Sequence, residues 1–374
     1  MNHVDTLLIK VASRCNLDCT YCYVYQGQDH TWKLQPKIIH NNTIDSLCLA
    51  LIAVSKIQEK GFAVVLHGGE PLLIGEDKLL KILSSLRLAL PCHYKYPIGI
   101  QTNGLLITDK ILDICSDYKT SISVSIDGSQ NTNDISRLTI KNKSSFAPLI
   151  KKIRLLRNHK DSDFLFAGTL SVIQPESDPI ETYEFIKGLG SPSIDFILQD
   201  GNYSFLPKGK KDFYSTEYGE WLIKLFDYYF YNKNPVKIRF FDDLVRISLG
   251  GLAEKEGKGN NNFGIIVIET DGEIRKNDTL RASFEGVDFF ENRPNVNNKA
   301  AFLDVLKSIE YFKTTTSQEL TSNNCLSCNI KNVCGGGMLL SRWSKEKHFD
   351  NPSIYCLDHL LYIKHIIKVL GVNF

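Results

Sequence analysis

The sequence predicts an α/β protein whose first half is a partial, open-sided (β/α)6 TIM barrel. Six short apolar runs alternate with amphipathic, helix-like stretches along the first half of the chain. The runs are almost continuously apolar, which is typical of parallel strands covered by helices. Glycine-rich or polar motifs follow several of these runs, at the carboxyl ends of the predicted strands, where parallel barrels carry their active sites. Six units are too few to close an eight-stranded barrel, so we expect one open side.

The six candidate strands are separated by segments with helical periodicity. Thr43 and Thr108 stand where helix caps belong, and Glu76 or Asp77 stands where a first-turn acid belongs. The predicted strands are "TLLIKVA" from Thr6, "AVVLHGG" from Ala63, "PIGIQTNG" from Pro97, "SISVSIDG" from Ser121, "LFAGTLSVI" from Leu165 and "SIDFILQD" from Ser193.

The pattern changes in the second half of the chain. Two helices, "FYSTEYGEWLIKLFDYYFYNKNP" and "RFFDDLVRISLGGL", precede a polar stretch and an apparent hairpin, "GIIVIETDGEIRKND". In that hairpin, Asp271-Gly272 predicts a type I′ turn. A cysteine-bearing segment and a terminal helix complete the chain. We expect a barrel at 1–210, a helical bridge at 211–260 and a small α+β domain at 261–374.

Composition argues against several broad classes of protein. The 374 residues carry a formal net charge of +2, which disfavours nucleic acid or a membrane surface as a partner. No apolar run approaches the ~18 residues of a membrane span, and the amino terminus lacks the features of a signal peptide. Ten cysteines without an export signal indicate metal or redox chemistry rather than disulfides. We expect a soluble, cytoplasmic protein.

Three closely spaced cysteines form the most informative motif. In "SRCNLDCTYCYVY", Cys15, Cys19 and Cys22 are spaced C-x3-C-x2-C directly after the first predicted strand. A structural zinc site needs four ligands, and a disulfide needs two. A [4Fe–4S] cluster held by three thiolates keeps one iron open to a chelating cofactor. The alternatives are a chance grouping of thiols or a zinc site completed by a distant residue.

Polar motifs after the second and fourth predicted strands provide candidate ligand contacts. "GGEP" offers backbone groups and a carboxylate to an ammonium group, and "SVSID" offers a hydroxyl and a carboxylate to ribose. An arginine shortly beyond could pair with a ligand carboxylate. The candidates are Gly68, Gly69, Glu70, Ser125, Asp127 and Arg137.

Together, the cysteine loop, "GGEP", "QTNG" and "SIDG" resemble the radical S-adenosylmethionine (SAM) enzymes over the whole N-terminal half. The resemblance implies that SAM chelates the open iron through its amine and carboxylate. Reductive cleavage would then give a 5′-deoxyadenosyl radical that abstracts hydrogen from an unactivated C–H bond. It also implies that Tyr21 lies against the adenine, and that flavodoxin or ferredoxin donates the electron.

A second set of cysteines stands near the carboxyl terminus. Cys325, Cys328, Cys334 and Cys356 fit either a structural zinc ion or a complete [4Fe–4S] cluster, and spacing alone slightly favours zinc. The segment resembles the SPASM extension of peptide-modifying radical SAM enzymes, whose full pattern holds two auxiliary clusters. That resemblance favours iron and sulfide at these four positions.

The chain lacks several cysteines of the two-cluster pattern. Met338 and Asn277 stand where the pattern has cysteines, and the upstream cysteines expected in "LGGLAEKEGKGNNN" are absent. The missing ligands all serve one auxiliary cluster, so we expect two [4Fe–4S] clusters in total. Asp278 matches an acid that is proposed to act as a base in sulfatase maturases, and it is our candidate catalytic base if it faces the cavity.

Longer sequence segments resemble one particular kind of peptide maturase. "KVASRCNLDCTYCYVY", "DHTWKLQP", "VIETDGEIRKNDTL" and "CGGGMLLSRWSKEKHFDNPSIYC" resemble the maturases that build three-residue cyclophanes (triceptides) in ribosomally made peptides. The resemblance implies a precursor-peptide substrate and a C–C bond between an aromatic ring and the Cβ two residues on. Because the first predicted strand stands so near the amino terminus, we expect no leader-binding domain ahead of it.

Three alternatives stay open at the level of sequence. The chain could be a sulfatase-maturase-like enzyme that forms formylglycine, another SPASM peptide maturase such as a thioether-forming one, or a metal-bound scaffold without catalysis. We interpret His67, which precedes "GGEP", as a packed residue rather than a catalytic one. The Phe/Tyr-rich bridge around Phe226 is interpreted as core rather than as a peptide groove.

Overall fold

The computed structural model describes residues 3–315 and 320–372. One sheet organises this part of the chain, and its strands lie in the order β7-β6-β5-β4-β3-β2-β1-β8-β9. The strands are β1 (Thr6–Ala12), β2 (Ala63–Gly68), β3 (Ile98–Thr102), β4 (Thr120–Ser125), β5 (Phe166–Val172), β6 (Ser193–Ile197), β7 (Lys237–Ile238), β8 (Ile265–Ile268) and β9 (Ile274–Arg275).

Helices return the chain between successive parallel strands, because parallel pairing requires a long connection. They are α1 (Asn41–Ile57), α2 (Glu76–Ala89), α3 (Asp109–Asp117), α4 (Gln130–Asn133), α5 (Phe146–Asn158), α6 (Ser162–Leu165), α7 (Pro179–Gly188), α8 (Glu217–Phe230), α9 (Arg239–Ser248), α10 (Ala301–Lys307), α11 (Ile309–Thr315), α12 (Asn323–Leu326), α13 (Lys331–Cys334) and α14 (Cys356–Leu370). Short 3-10 helices cover Thr31–Leu34, Pro71–Ile74, Asp278–Ala282 and Leu339–Arg342.

The predicted partial barrel is confirmed. All six predicted strands are present, and β1 to β6 pair in parallel with their neighbours. Thr108 caps α3 by accepting a hydrogen bond from the Ile111 N–H at 3.2 Å. Thr43 does not cap α1, because that helix already begins at Asn41 and Thr43 is buried inside it. The apolar runs therefore located the strands better than they located the helix ends.

The predicted hairpin extends the barrel sheet. β8 pairs in parallel with β1 on the side away from β2, and β9 then pairs antiparallel with β8. The predicted type I′ turn is wrong, because only Gly272, with φ of 90°, has a positive φ among its central residues. The Gly272 N–H instead closes a turn onto the Glu269 carbonyl at 2.9 Å. This pairing crosses the expected boundary at residue 261, and the division into three domains stays a prediction.

Two apolar cores stabilise the architecture. The first lies between the strands and helices of the barrel and contains Leu7, Leu66 and Ile122. The second joins α8, α9 and α14, and Phe226 and Phe241 are fully buried in it. Phe226 of the aromatic bridge is therefore core, as the sequence predicted, and Tyr228 and Tyr229 pack against this core, whereas Phe230 is 40% exposed. In the described part of the chain, no helix is long and apolar enough to cross a membrane.

Two lysine–aspartate pairs of equal length offer a matched stability test. Lys210 and Asp358 are fully buried with Nζ and Oδ2 2.7 Å apart, whereas the Lys60–Asp5 pair has the same 2.7 Å separation with Lys60 70% exposed. We expect Lys210→Met to lower the free energy of unfolding by about 3–5 kcal/mol, because it leaves a buried carboxylate unpaired. Lys60→Met should cost at most about 1 kcal/mol. Anaerobic urea denaturation followed by circular dichroism measures both, and equal losses would contradict the prediction.

Candidate active site at the carboxyl edge of the sheet

The carboxyl ends of the barrel strands enclose a cavity of about 180 Å³. Parallel strands direct these ends to one edge of the sheet, so loops that are distant in sequence meet there. The cavity brings together much of what the sequence predicted: it is lined by Cys15, Cys19, Tyr21, Cys22, Gly68, Gly69, Ser125 and Arg137, and also by Tyr23, His67, Asn103 and Asp200.

The three thiols of the first motif are free and half-buried around this cavity. Burial raises the pKa of Cys15 to about 12 and that of Cys22 to about 11. The Leu17 N–H points at the Cys15 sulfur at 3.4 Å, and the Asn103 amide lies 3.8 Å from it. Buried thiols of this kind stay protonated until a metal displaces the proton, so the set is suited to ligation.

The first motif supplies three thiols, one fewer than a structural zinc site needs. Within residues 3–315 and 320–372, no three His, Cys, Asp or Glu side chains lie where they could hold one metal ion. A zinc ion would need its sulfur ligands at about 2.3 Å. A [4Fe–4S] cluster binds each thiolate through a different iron, and three thiols with an open side suit it.

Arg137 supplies an unpaired cationic group at the same cavity. Its Nη1 donates to the Tyr21 hydroxyl at 2.8 Å, and that hydroxyl donates to the Asp127 carboxylate at 2.8 Å. The Arg137 Nε is buried, and no hydrogen-bond acceptor among the described residues reaches it. A guanidinium with a donor to spare beside three thiols suits a ligand that carries a carboxylate, as SAM does.

Two predicted cofactor contacts accept hydrogen bonds from protein donors, and their contact with the cofactor stays a prediction. The Glu70 carboxylate is fully buried and accepts hydrogen bonds from the Leu72 N–H, the Thr102 hydroxyl and the Asn103 N–H, at 2.7 to 2.9 Å. The Asp127 carboxylate accepts from Tyr21 and from the Val172 N–H at 3.0 Å. Because protein donors occupy both carboxylates behind the cavity wall, these residues position the loops and Tyr21.

Asp278, the predicted base, lies outside the cavity. It is 1% exposed, its carboxylate lies 2.9 Å from the Lys10 ammonium, and it accepts a hydrogen bond from the Tyr23 hydroxyl at 2.8 Å. Burial alone would raise its pKa, but neighbouring cations, Lys10 first among them, outweigh burial and hold the pKa below its ordinary value. Asp278 is not among the residues that line the cavity, and its role as a base stays a prediction.

Two residues that were not among the predicted site residues also line the cavity: Asp200, which the sequence analysis did not discuss, and His67, which it interpreted as packed. Asp200, three residues beyond β6, forms no hydrogen bond or ion pair with the described residues, and burial raises its pKa to about 7. His67, on β2, has a buried Nδ1 without a partner among the same residues, and burial lowers its pKa. Their place at the carboxyl ends of two strands was the available signal.

The four C-terminal cysteines also come together, around a small space of about 30 Å³. The turn beside them follows Gly335, Gly336 and Gly337, whose φ angles are 59°, 77° and 72°. Side chains other than glycine rarely adopt this left-handed path. The buried Arg342 guanidinium accompanies the turn by donating to all three glycine carbonyls at 2.6 to 3.1 Å. The glycine turn and the four thiols thus lie side by side, and a cluster at this position stays a prediction.

The positions of the missing cysteines converge on a separate cavity of about 520 Å³. No cysteine of the described residues lines it. The Asn277 amide donates to the Glu256 carboxylate there, and a Cβ on Gly257 would lie 2.6 Å from the Met338 sulfur. The hydrogen bond between Asn277 and Glu256 therefore connects two of the segments in which the two-cluster pattern has cysteines.

The barrel, three thiols with an open side and an unpaired arginine define a radical SAM enzyme. The chain belongs to the Radical SAM superfamily, whose family model matches residues 9–203. Its cofactors are accordingly SAM and [4Fe–4S] clusters, and the two cysteine sets fit two clusters.

Three similar proteins illustrate what the chain resembles. A cysteine-type anaerobic sulfatase-maturating enzyme of Clostridium perfringens is 25% identical over 374 residues, covering 96% of this chain and 95% of its own. The structure of native anSMEcpe with bound AdoMet and Cp18Cys peptide has a TM-score of 0.81 at 22% identity, covering 99% of each chain. Streptococcus suis SuiB bound to precursor peptide SuiA has a TM-score of 0.59 at 16% identity, covering 91% of this chain and 73% of that one. The two structures share this fold.

Iron content should divide between the two cysteine sets. Replacing Cys15, Cys19 and Cys22 by alanine should remove about four of about eight iron atoms per chain, and replacing the C-terminal four should remove the others. Cys48→Ala and Cys115→Ala are the controls, because both thiols lie apart from either set. Iron and sulfide analysis of anaerobically reconstituted protein measures this. Zinc in place of iron in either set would contradict the assignment.

Proposed function

We propose that the chain modifies a ribosomally made precursor peptide by forming a C–C bond between an aromatic side chain and the Cβ of the residue two positions on. The observation that carries the proposal is a further cavity, of about 280 Å³, which shares lining residues with the cavity at the three thiols and with the space at the C-terminal cysteines. Tyr23 and Asp200 line both this central cavity and the cavity at the three thiols. A peptide segment bound there would lie between the two clusters.

The reaction removes two hydrogen atoms from the peptide. When bound, the cofactors supply a hydrogen-atom acceptor at the three-thiol end and an electron acceptor at the other. One hydrogen leaves the Cβ as an atom; after the new bond forms, the ring loses an electron and a proton and becomes aromatic again. The chain's own task is to bind and orient the peptide, exclude water and accept that proton.

Asp200 is placed to accept the proton. Its carboxylate faces both cavities without a protein partner, whereas Asp278 is held by Lys10 and Tyr23. A carboxylate becomes a better proton acceptor as its pKa rises toward the working pH. The ionisable groups around Asp200 are Cys22, Tyr23, Glu256, Asp278 and Tyr355, and the charges of Asp278 and Glu256 act with burial to raise its pKa.

A second candidate function is formylglycine formation in a peptide, and the comparisons favour it over the crosslink. One curated relative that covers 96% of this chain is a cysteine-type sulfatase-maturating enzyme. The cavity of about 520 Å³ lined by Asn277 and Met338 favours the crosslink, because this chain lacks the cysteines that the two-cluster pattern has at those two positions. SuiB, bound to a precursor peptide, supports a peptide substrate in either case.

Mass spectrometry of a co-expressed peptide distinguishes the two candidates. The peptide should be encoded beside the gene and carry a motif that starts with an aromatic residue. We expect loss of two hydrogen atoms per motif, with no backbone fragments between the aromatic residue and its second neighbour. Formylglycine at a Cys or Ser would overturn the crosslink in favour of the second candidate. A peptide incubated with the Cys15→Ala variant should stay unmodified.

Asp200→Asn should separate cofactor cleavage from product formation. We expect 5′-deoxyadenosine release within about threefold of wild type and at least a tenfold loss of crosslinked product. In the wild type, the rate of product formation should rise with pH through about 7, because the carboxylate must be ionised to accept a proton. Liquid chromatography of both products over a pH series measures this. Unchanged product formation by Asp200→Asn would contradict the role.

A further inference from the structure

His359 lies against a cysteine of the auxiliary set. It stands on α14, one turn after Cys356, and is 5% exposed. Its Nδ1 is 3.4 Å from the Cys334 sulfur, which also accepts a hydrogen bond from the Gly336 N–H. A ring nitrogen at this distance from sulfur is within hydrogen-bonding range, and nothing in the sequence pattern drew attention to the histidine.

The surrounding residues fix the imidazole in this position. A Cβ on Gly337 would lie 2.5 Å from the His359 Cε1, so the ring occupies space that only a glycine leaves free. The Tyr355 ring stacks on the imidazole at 6.3 Å between centroids, and the Tyr362 ring meets it edge-on at 5.6 Å. Close packing on three sides means that His359 cannot swing away from Cys334 without disturbing the second core.

The imidazole also stands between two spaces that the proposed chemistry uses. His359 lines the space enclosed by the four C-terminal cysteines, and it lines the central cavity beside Tyr23 and Asp200. A thiolate bound to iron can only accept a hydrogen bond, so the ring nitrogen that faces Cys334 carries the hydrogen. Hydrogen bonds to cluster sulfurs withdraw negative charge and favour the reduced cluster.

We infer that His359 is a positioning residue that donates an Nδ1–H···S hydrogen bond to Cys334 and thereby raises the reduction potential of the auxiliary cluster. The bond makes the cluster a better acceptor for an electron that leaves a substrate in the central cavity. The inference rests on Cys325, Cys328, Cys334 and Cys356 holding a cluster, and it holds for either peptide modification considered above.

A redox titration followed by electron paramagnetic resonance tests the inference. The full chain carrying Cys15→Ala, Cys19→Ala and Cys22→Ala isolates the auxiliary signal, and His359→Leu or His359→Gln is added to it. We expect His359→Leu to shift the midpoint potential to a lower value and His359→Gln, which keeps an N–H donor, to shift it less. His365→Leu is the matched control: it lies on the same helix, faces Asp227 at 2.6 Å, and should leave the potential unchanged.

Each outcome bears on a different claim. A wild-type potential in His359→Leu, with full iron content, would overturn the inference alone. Absence of iron from the protein without Cys15, Cys19 and Cys22 would overturn the cluster assignment and the inference with it. If His359→Leu loses its cluster, His359→Gln decides: a midpoint potential below that of His365→Leu supports the inference, and a potential equal to it overturns the inference. A crosslink that fails to form in wild-type enzyme would count against the proposed function and leave the potential shift standing.

Discussion

A buried ion network around Lys10 constrains how the C-terminal half packs on the barrel. The Lys10 ammonium on β1 lies 2.9 Å from Asp278 and 3.3 Å from Glu269. Arg281 extends the network to Glu269 and Asp288, at 2.5 and 2.7 Å. Each buried charge would cost several kcal/mol if it were left unpaired. The parallel register between β1 and β8 therefore cannot shift without breaking pairs that hold the hairpin and the following 3-10 helix.

This constraint divides the carboxylates near the site into two kinds. Asp278 is ion-paired and deeply buried, so its negative charge is stabilised and it is a weak proton acceptor. Asp200 faces the cavities without a cation and its pKa is raised to about 7. Tyr23 connects the two environments, since its hydroxyl donates to Asp278 while its ring lines both cavities. Environments that push the pKa values of neighbouring acids apart are the usual way in which proteins assign acid–base roles.

The two cysteine sets share one physical property, a raised thiol pKa, although they lie on different structural elements. In each, burial raises thiol pKa values, so the sulfurs are poised to give up protons only to a metal. The first set leaves one side open to a cavity with an unpaired Arg137 Nε. The second has four thiols, a glycine turn held by Arg342 and an imidazole against Cys334. An open set suits cofactor binding and a closed set suits electron transfer, which agrees with a substrate bound between them.

The sequence by itself determined the barrel strands, the two cysteine sets and the family. These depend on local apolar runs and short spacings, which a linear pattern records directly. Only the tertiary structure decided that Glu70 and Asp127 are occupied by protein donors, that Asp278 is locked to Lys10, and that Asp200 is free. It also decided that the hairpin joins β1. Those outcomes depend on which partner fills each hydrogen bond or ion pair, and the partners are set by tertiary packing, as for Lys10 and Asp278. Pairing between strands distant in sequence leaves no local periodicity to read.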